Sequence, residues 1–187
     1  MAKIETLGNH TGDIFTGRLV RLSASRPEDA AAFSRWSHDA EYRRNLDSDV
    51  VRPESEDAYA RRDSGSSFFF PVRTLEDDQL IGFVALFSIE WSNAAGTVAI
   101  GIGEPDYRDR GYGTDAMRTI LRYAFDELSL HRVGLDVNGN NPRAIHVYEK
   151  IGFRHEGVRR EAIHRDGQRI DRIYMGILRN EWEAGSA

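Results

Sequence analysis

Residues 108–114, Arg-Asp-Arg-Gly-Tyr-Gly-Thr, lie between a strand-like apolar run at 98–103 and an amphipathic helical run at 114–128. Gly111 and Gly113 reach backbone angles barred to other residues and leave peptide N–H groups uncovered. A helix beginning at Thr114 adds unpaired N–H groups and the positive end of its dipole. Together these make a cradle for a phosphate or pyrophosphate. Three glycine-rich loops compete for the segment. A Walker A loop needs Lys-Ser/Thr after its last glycine, but Thr114-Asp115 follow Gly113, and the only lysines are Lys3 and Lys150. The dinucleotide fingerprint fits Gly111-Tyr112-Gly113-Thr114-Asp115-Ala116, with Asp136 further on as the ribose carboxylate. That fold, however, runs its strand straight into the first glycine, whereas Glu104–Arg110 intervene here. The third pattern, Arg/Gln-x-x-Gly-x-Gly/Ala, is met by Arg108, Gly111 and Gly113.

Around this loop the chain reads as one domain. Its 187 residues suffice for a full core. Residues 1–15 read as a loose lead-in, and no apolar run approaches the length of a membrane span. The chain has no cysteine, hence no disulfide, thiolate metal site or cysteine nucleophile. His10, His38, His131, His146, His155 and His164 show no metal-ligand spacing. The net charge of −5 argues against general nucleic-acid binding. A cytoplasmic protein without nucleic-acid or membrane partners is expected.

Residues 18–23 alternate as a strand, and Ser25-Arg26-Pro27-Glu28 reads as a helix start. A second helix is expected over 54–62, and arms at 67–74 and 80–91 flank the acidic turn Glu76-Asp77-Asp78 as a hairpin. In the run 98–103, Val98, Ile100 and Ile102 share one face, and Ala99, Gly101 and Gly103 the other. Glycine there signals close approach of a ligand or of a packed helix, and the pattern alone does not choose. Met117, Ile120, Leu121, Ala124 and Leu128 form a core stripe. Residues 133–137 alternate as a strand. Asn141-Pro142 opens a helix that Gly152 closes. Strands at 153–164 and 169–178 meet at Asp166-Gly167. The order β-α-α-β-β-β-α-β-α-β-β gives an α+β (mixed α/β) fold, a mainly antiparallel sheet of six to seven strands flanked by about four helices.

This order, the loop at Arg108–Gly113 and the motif Asn141-x-x-Ala144-Ile145-x-x-Tyr148-Glu149-Lys150-x-Gly152-Phe153 resemble the GNAT superfamily of acetyl-CoA-dependent N-acetyltransferases, over residues 17–183. The start at Arg18–Ser23 and the closing Tyr174-Met175-Gly176-x-Leu178-x-x-Glu181-Trp182 look like the branch containing ribosomal-protein N-terminal-alanine and spermidine acetyltransferases. The resemblance implies acetyl-CoA as co-substrate, no metal, and a primary amine as acceptor; a homodimer is left open. It assigns the pyrophosphate to the amides of Arg110, Gly111, Tyr112, Gly113 and Thr114 and the pantetheine arm chiefly to Ile100 and Ile102 with Asn141, and it counts Gly101, Arg108 and Asp109 among the cofactor-binding residues. Asn141 also reads as a plain helix cap. Tyr148 matches the position whose hydroxyl lies beside the CoA sulfur, where a phenol can stabilise or protonate a departing thiolate; its stripe with Ala144, Val147 and Ile151 also suits core packing. Many relatives carry a glutamate base where this chain has Thr97. Glu90 is the first substitute, with Glu41 and a water chain as others. Acids at Asp47, Asp49, Glu54, Glu56 and Asp57 suggest a negative rim for a cationic acceptor. A non-catalytic acyl-CoA-binding module is the alternative.

Overall fold

The computed structural model describes residues 13–46, 50–60 and 67–186. Seven strands form one sheet in the order β1-β2-β3-β4-β5-β7-β6: β1 (Val20–Leu22), β2 (Phe68–Thr74), β3 (Leu80–Glu90), β4 (Ala95–Ile102), β5 (Arg132–Asn138), β6 (Arg154–Arg165) and β7 (Gln168–Leu178). Among the described strands, only the β4–β5 pair is parallel. Among the described residues there are six α-helices, α1 (Asp29–Ser37), α2 (Ala40–Leu46), α3 (Glu56–Ala60), α4 (Tyr112–Arg122), α5 (Pro142–Ile151) and α6 (Arg179–Ser186). No helix among the described residues is long and apolar enough to cross a membrane.

Strand alternation distributes the core over both faces of the sheet. Val84, Leu86 and Val98 pack with Met117, Ile120 and Leu121 of α4 in the main cluster. Phe83 instead meets a smaller cluster of Phe33, Trp36 and Tyr42 from α1 and α2. A buried pair, Arg73 of β2 with Asp29 of α1, fastens that helical layer to the sheet. The α4 layer is fastened by Asp115, whose carboxylate accepts the backbone N–H groups of Arg18, Leu19 and Val20 at 2.7–3.1 Å.

Several boundaries differ from the sequence reading. The first helix begins at Asp29, where the Asp29 carboxylate accepts the Arg26 N–H at 2.9 Å and holds the 26–28 turn outside the helix. Helix α4 starts at Tyr112, because Gly111 at φ 88° turns the chain directly into it. It passes through a π turn at Tyr123–Glu127. Ile14 and Phe15, read as lead-in, pack on the main cluster; residues 1–12 lie outside the described residues. Two helices went unread. Helix α2 is seven residues long, capped by Asp39, whose carboxylate accepts the Tyr42 N–H at 3.0 Å. Helix α6 follows β7 without a break, and Glu181 there accepts the Leu178 N–H at 3.0 Å.

Candidate functional site

The parallel pair β4–β5 is short. Ala95, Gly96 and Thr97 pair with Arg132, Val133 and Gly134, and there the ladder stops. Beyond Thr97 the two strands diverge, while Val98–Ile102 stay paired to β3 on the other side. One edge of this segment is therefore left without a strand partner, its N–H and C=O groups turned into the gap. Two cavities open along the divergence, and they share Asn45, Leu46, Ile100, Asn141, Ala144 and Tyr148.

The first, of about 240 Å³, runs along Ile100, Gly101 and Ile102 to Asp109, Gly111, Gly113 and Thr114. It brings together most of the residues expected to hold the cofactor. Gly111 caps α4 in the left-handed region, a conformation that side chains resist. Gly113 has an ordinary backbone, and a Cβ there would meet only Ile102 and Ile100, at 3.5 and 4.0 Å. Packing does not demand glycine at 113, so its bareness serves the cavity. Gly101 and Gly103 have another cause. A Cβ on Gly101 would lie 2.5 Å from the Tyr42 hydroxyl, and one on Gly103 2.0 Å from the Trp36 ring. These two glycines admit the helical layer, which decides the choice the sequence left open.

Arg108 is a latch for the loop. Its guanidinium donates to the carbonyls of Ile102 and Gly103 at 3.0 and 2.9 Å and to Asp39 at 3.2 Å. Arg110 donates to the Asp106 carbonyl, and neither it nor Tyr112 lines the cavity. Asp109 would repel a phosphate, but Arg143 at the start of α5 pairs with it at 2.5 Å. Asn141 caps α5, accepting the Ala144 N–H at 3.1 Å, and lines both cavities as well. Its two readings are compatible.

Tyr148 stands on α5 where the cavities join, its ring set edge-on to Phe153. Burial first, and the Asp136 carboxylate second, push its hydroxyl up to about 12. It therefore stays protonated far above neutrality. The second cavity, of about 890 Å³, combines apolar walls from β3, β4 and β5 with Arg43, Arg52, Glu54, Asp136 and Arg172. Glu54 is held by Arg43 at 3.3 Å, and Asp136 by Arg172 at 2.6 Å.

Glu90 is the expected catalytic residue that the structure does not bring in. A register shift between Phe87 and Glu90 carries the end of β3 away, and Glu90, accepting a hydrogen bond from Asn93 at 2.6 Å, lines neither cavity. Glu41 does line the first. Of the acids read as a rim, Asp47 and Asp49 lie outside the described residues, Glu54 is paired, and Glu56 and Asp57 line neither cavity. Tyr42 and Arg43 were missed because α2 was missed; Asp39 three residues before Tyr42 was the available capping signal. No metal-holding cluster occurs among the described residues.

A sheet split along a parallel pair, with a glycine-lined helix start at one end of the split, is an arrangement that can hold a phosphorylated carrier. The acetyltransferase (GNAT) domain model matches residues 19–154, and the chain belongs to this family. It is 29% identical over 157 residues to the uncharacterized N-acetyltransferase YnaD of Bacillus subtilis, covering 83% of this chain and 91% of that protein. It is 34% identical over 110 residues to the spermidine N(1)-acetyltransferase of Vibrio cholerae, covering 58% of this chain and 63% of that protein. The structure of spermidine N-acetyltransferase from Vibrio cholerae in complex with CoA and spermine superposes with a TM-score of 0.79 at 25% identity, covering 88% and 98% of the two chains. The protein is thus an acetyltransferase whose co-substrate is acetyl-CoA, and the sheet and helices match that fold.

Proposed function

We propose that this protein transfers the acetyl group of acetyl-CoA directly to a primary amine while both substrates are bound, as a single cytoplasmic domain. The observation that carries this is the position of Tyr148 at the junction of a cavity suited to the pantetheine arm and a separate, larger one. The exposed edge of Val98–Ile102 receives the pantetheine amides, and the amides around Gly111, Gly113 and Thr114 receive the pyrophosphate at the α4 dipole. Acetyl-CoA supplies an activated acetyl carbon. The amine reaches it from the second cavity, and Tyr148, kept neutral, donates its proton or a hydrogen bond to the departing sulfur.

The ammonium must first lose its proton. The second cavity's carboxylates, Glu54 and Asp136, are each engaged by an arginine. Glu41 or water takes that role in this reading. The resemblance at both chain ends supports the branch that includes ribosomal-protein and spermidine acetyltransferases. Thiol release from acetyl-CoA, followed across amine classes for the native protein and Tyr148→Phe, is the test. Acetyl-CoA binding without thiol release for any amine would leave a binding module instead.

A further inference from the structure

Among the described residues, the lining of the second cavity carries more positive than negative charge. Its described lining holds three arginines, Arg43, Arg52 and Arg172, against two carboxylates, Glu54 and Asp136. Each carboxylate is already engaged by a guanidinium, Glu54 by Arg43 and Asp136 by Arg172. Arg52 is the surplus charge, exposed at the mouth. Arg43 adds a second observation. Its side chain is only 10% exposed, and its Nε–H is buried with no hydrogen-bond partner. The remaining walls, including Phe83, Phe87, Val98 and Leu135, are apolar.

We infer that the acceptor is an amine carrying a carboxylate and an apolar body, the class of an aromatic or branched α-amino acid. This rests on the acetyl-transfer reading above. The apolar body packs against β3 and β5, and the carboxylate meets the arginines, where planar bidentate pairing suits a guanidinium. The amine is thereby turned toward Tyr148. The transfer balances simply: the amine nitrogen bonds the acetyl carbon, the carbon–sulfur bond breaks, and the amine's proton leaves as the sulfur gains one. A polyamine would bring several positive charges to a lining with a net positive charge and no unengaged carboxylate among the described residues.

The experiment compares L-phenylalanine, L-phenylalaninamide and spermidine as acceptors at saturating acetyl-CoA, measured by thiol release. The expected result is a kcat/KM for phenylalanine at least about tenfold above both others. Arg52→Gln, at an exposed position, should raise KM for phenylalanine severalfold and leave KM for acetyl-CoA within about twofold. Spermidine or the amide matching or exceeding phenylalanine would overturn the inference while leaving acetyl transfer intact. If no amine releases thiol, the transfer reading fails on its own terms. The inference is then judged by calorimetry, titrating N-acetyl-L-phenylalanine and its amide into the CoA-loaded protein. Binding that needs the carboxylate and weakens in Arg52→Gln sustains it; equal binding or none overturns it.

Discussion

At the scale of single residues, the site depends on one hydroxyl and two missing side chains. Tyr148→Phe keeps the ring against Phe153 and removes only the proton donor. Turnover should fall by roughly 10²–10⁴, the usual worth of a positioned acid, with the acetyl-CoA KM little changed. Steady-state kinetics decide it, and undiminished turnover would reduce Tyr148 to packing. Its pH behaviour has a definite sign. Because the hydroxyl is pushed up from 10.0 to about 12, it remains a donor throughout the assayable range. The pH profile of kcat/KM for the amine should therefore rise as the ammonium deprotonates and show no fall from Tyr148 between about pH 7 and 9.5. A fall that disappears in Tyr148→Phe would contradict this. At the loop, Gly113→Ala places a methyl in ordinary contact with Ile102, so folding should be kept while CoA affinity drops about tenfold or more, that is by about 1.4 kcal/mol or more. Calorimetry checks this, and unchanged affinity would remove Gly113 from the pyrophosphate site. Gly111→Val is the less discriminating variant, since its φ of 88° strains any side chain. Most of these residues were legible because chemistry imposes them locally: bare amides need glycine, and a helix cap needs a residue like Asn141. Glu90 was misplaced because proximity to a site depends on strand register, and a shift at Phe87 has no signature in the local sequence.

At the scale of elements, the sequence reading located all seven strands, most by their alternation; β6, exposed along nearly its whole length, was legible from the Asp166-Gly167 turn instead. It missed α2 and α6, which are too short to complete a clear apolar stripe. The omission mattered, because α2 supplies residues to both cavities, Asn45 and Leu46 among them. The element contacts also carry stability. Asp115 joins the first turn of α4 to β1 through three backbone N–H groups. Asp115→Ala would leave those donors unpaired and should cost about 1–3 kcal/mol, read as a lowered midpoint in urea. An unaltered midpoint would mean that water replaces the carboxylate without loss. The Arg73–Asp29 pair is more deeply buried, with side chains 6% and 4% exposed. Arg73→Met strands a charge beneath α1 and should cost about 3–5 kcal/mol, whereas replacing both partners with apolar residues should recover much of that loss. Thermal denaturation of the single and double variants measures the difference.

At the scale of the whole molecule, two cores of unequal size lie on opposite faces of the sheet. Their relation was not legible in the sequence, because alternation shows that a strand has two faces without showing what covers each. Gly101 illustrates the point: its lack of a side chain looked equally suited to a ligand and to a packed helix, and only the assembled sheet shows Tyr42 there. Strand β4 has a double character. It is an interior strand through Thr97 and an open edge from Val98 to Ile102. An unpaired edge is what proteins normally blunt against self-association. On the reading proposed above, the pantetheine arm of acetyl-CoA takes that role. The segment is itself largely covered, with Val98 only 3% exposed, so a bound cofactor would complete a cover that the fold begins. Hydrogen exchange at the amides of residues 98–102 should then slow when CoA is added.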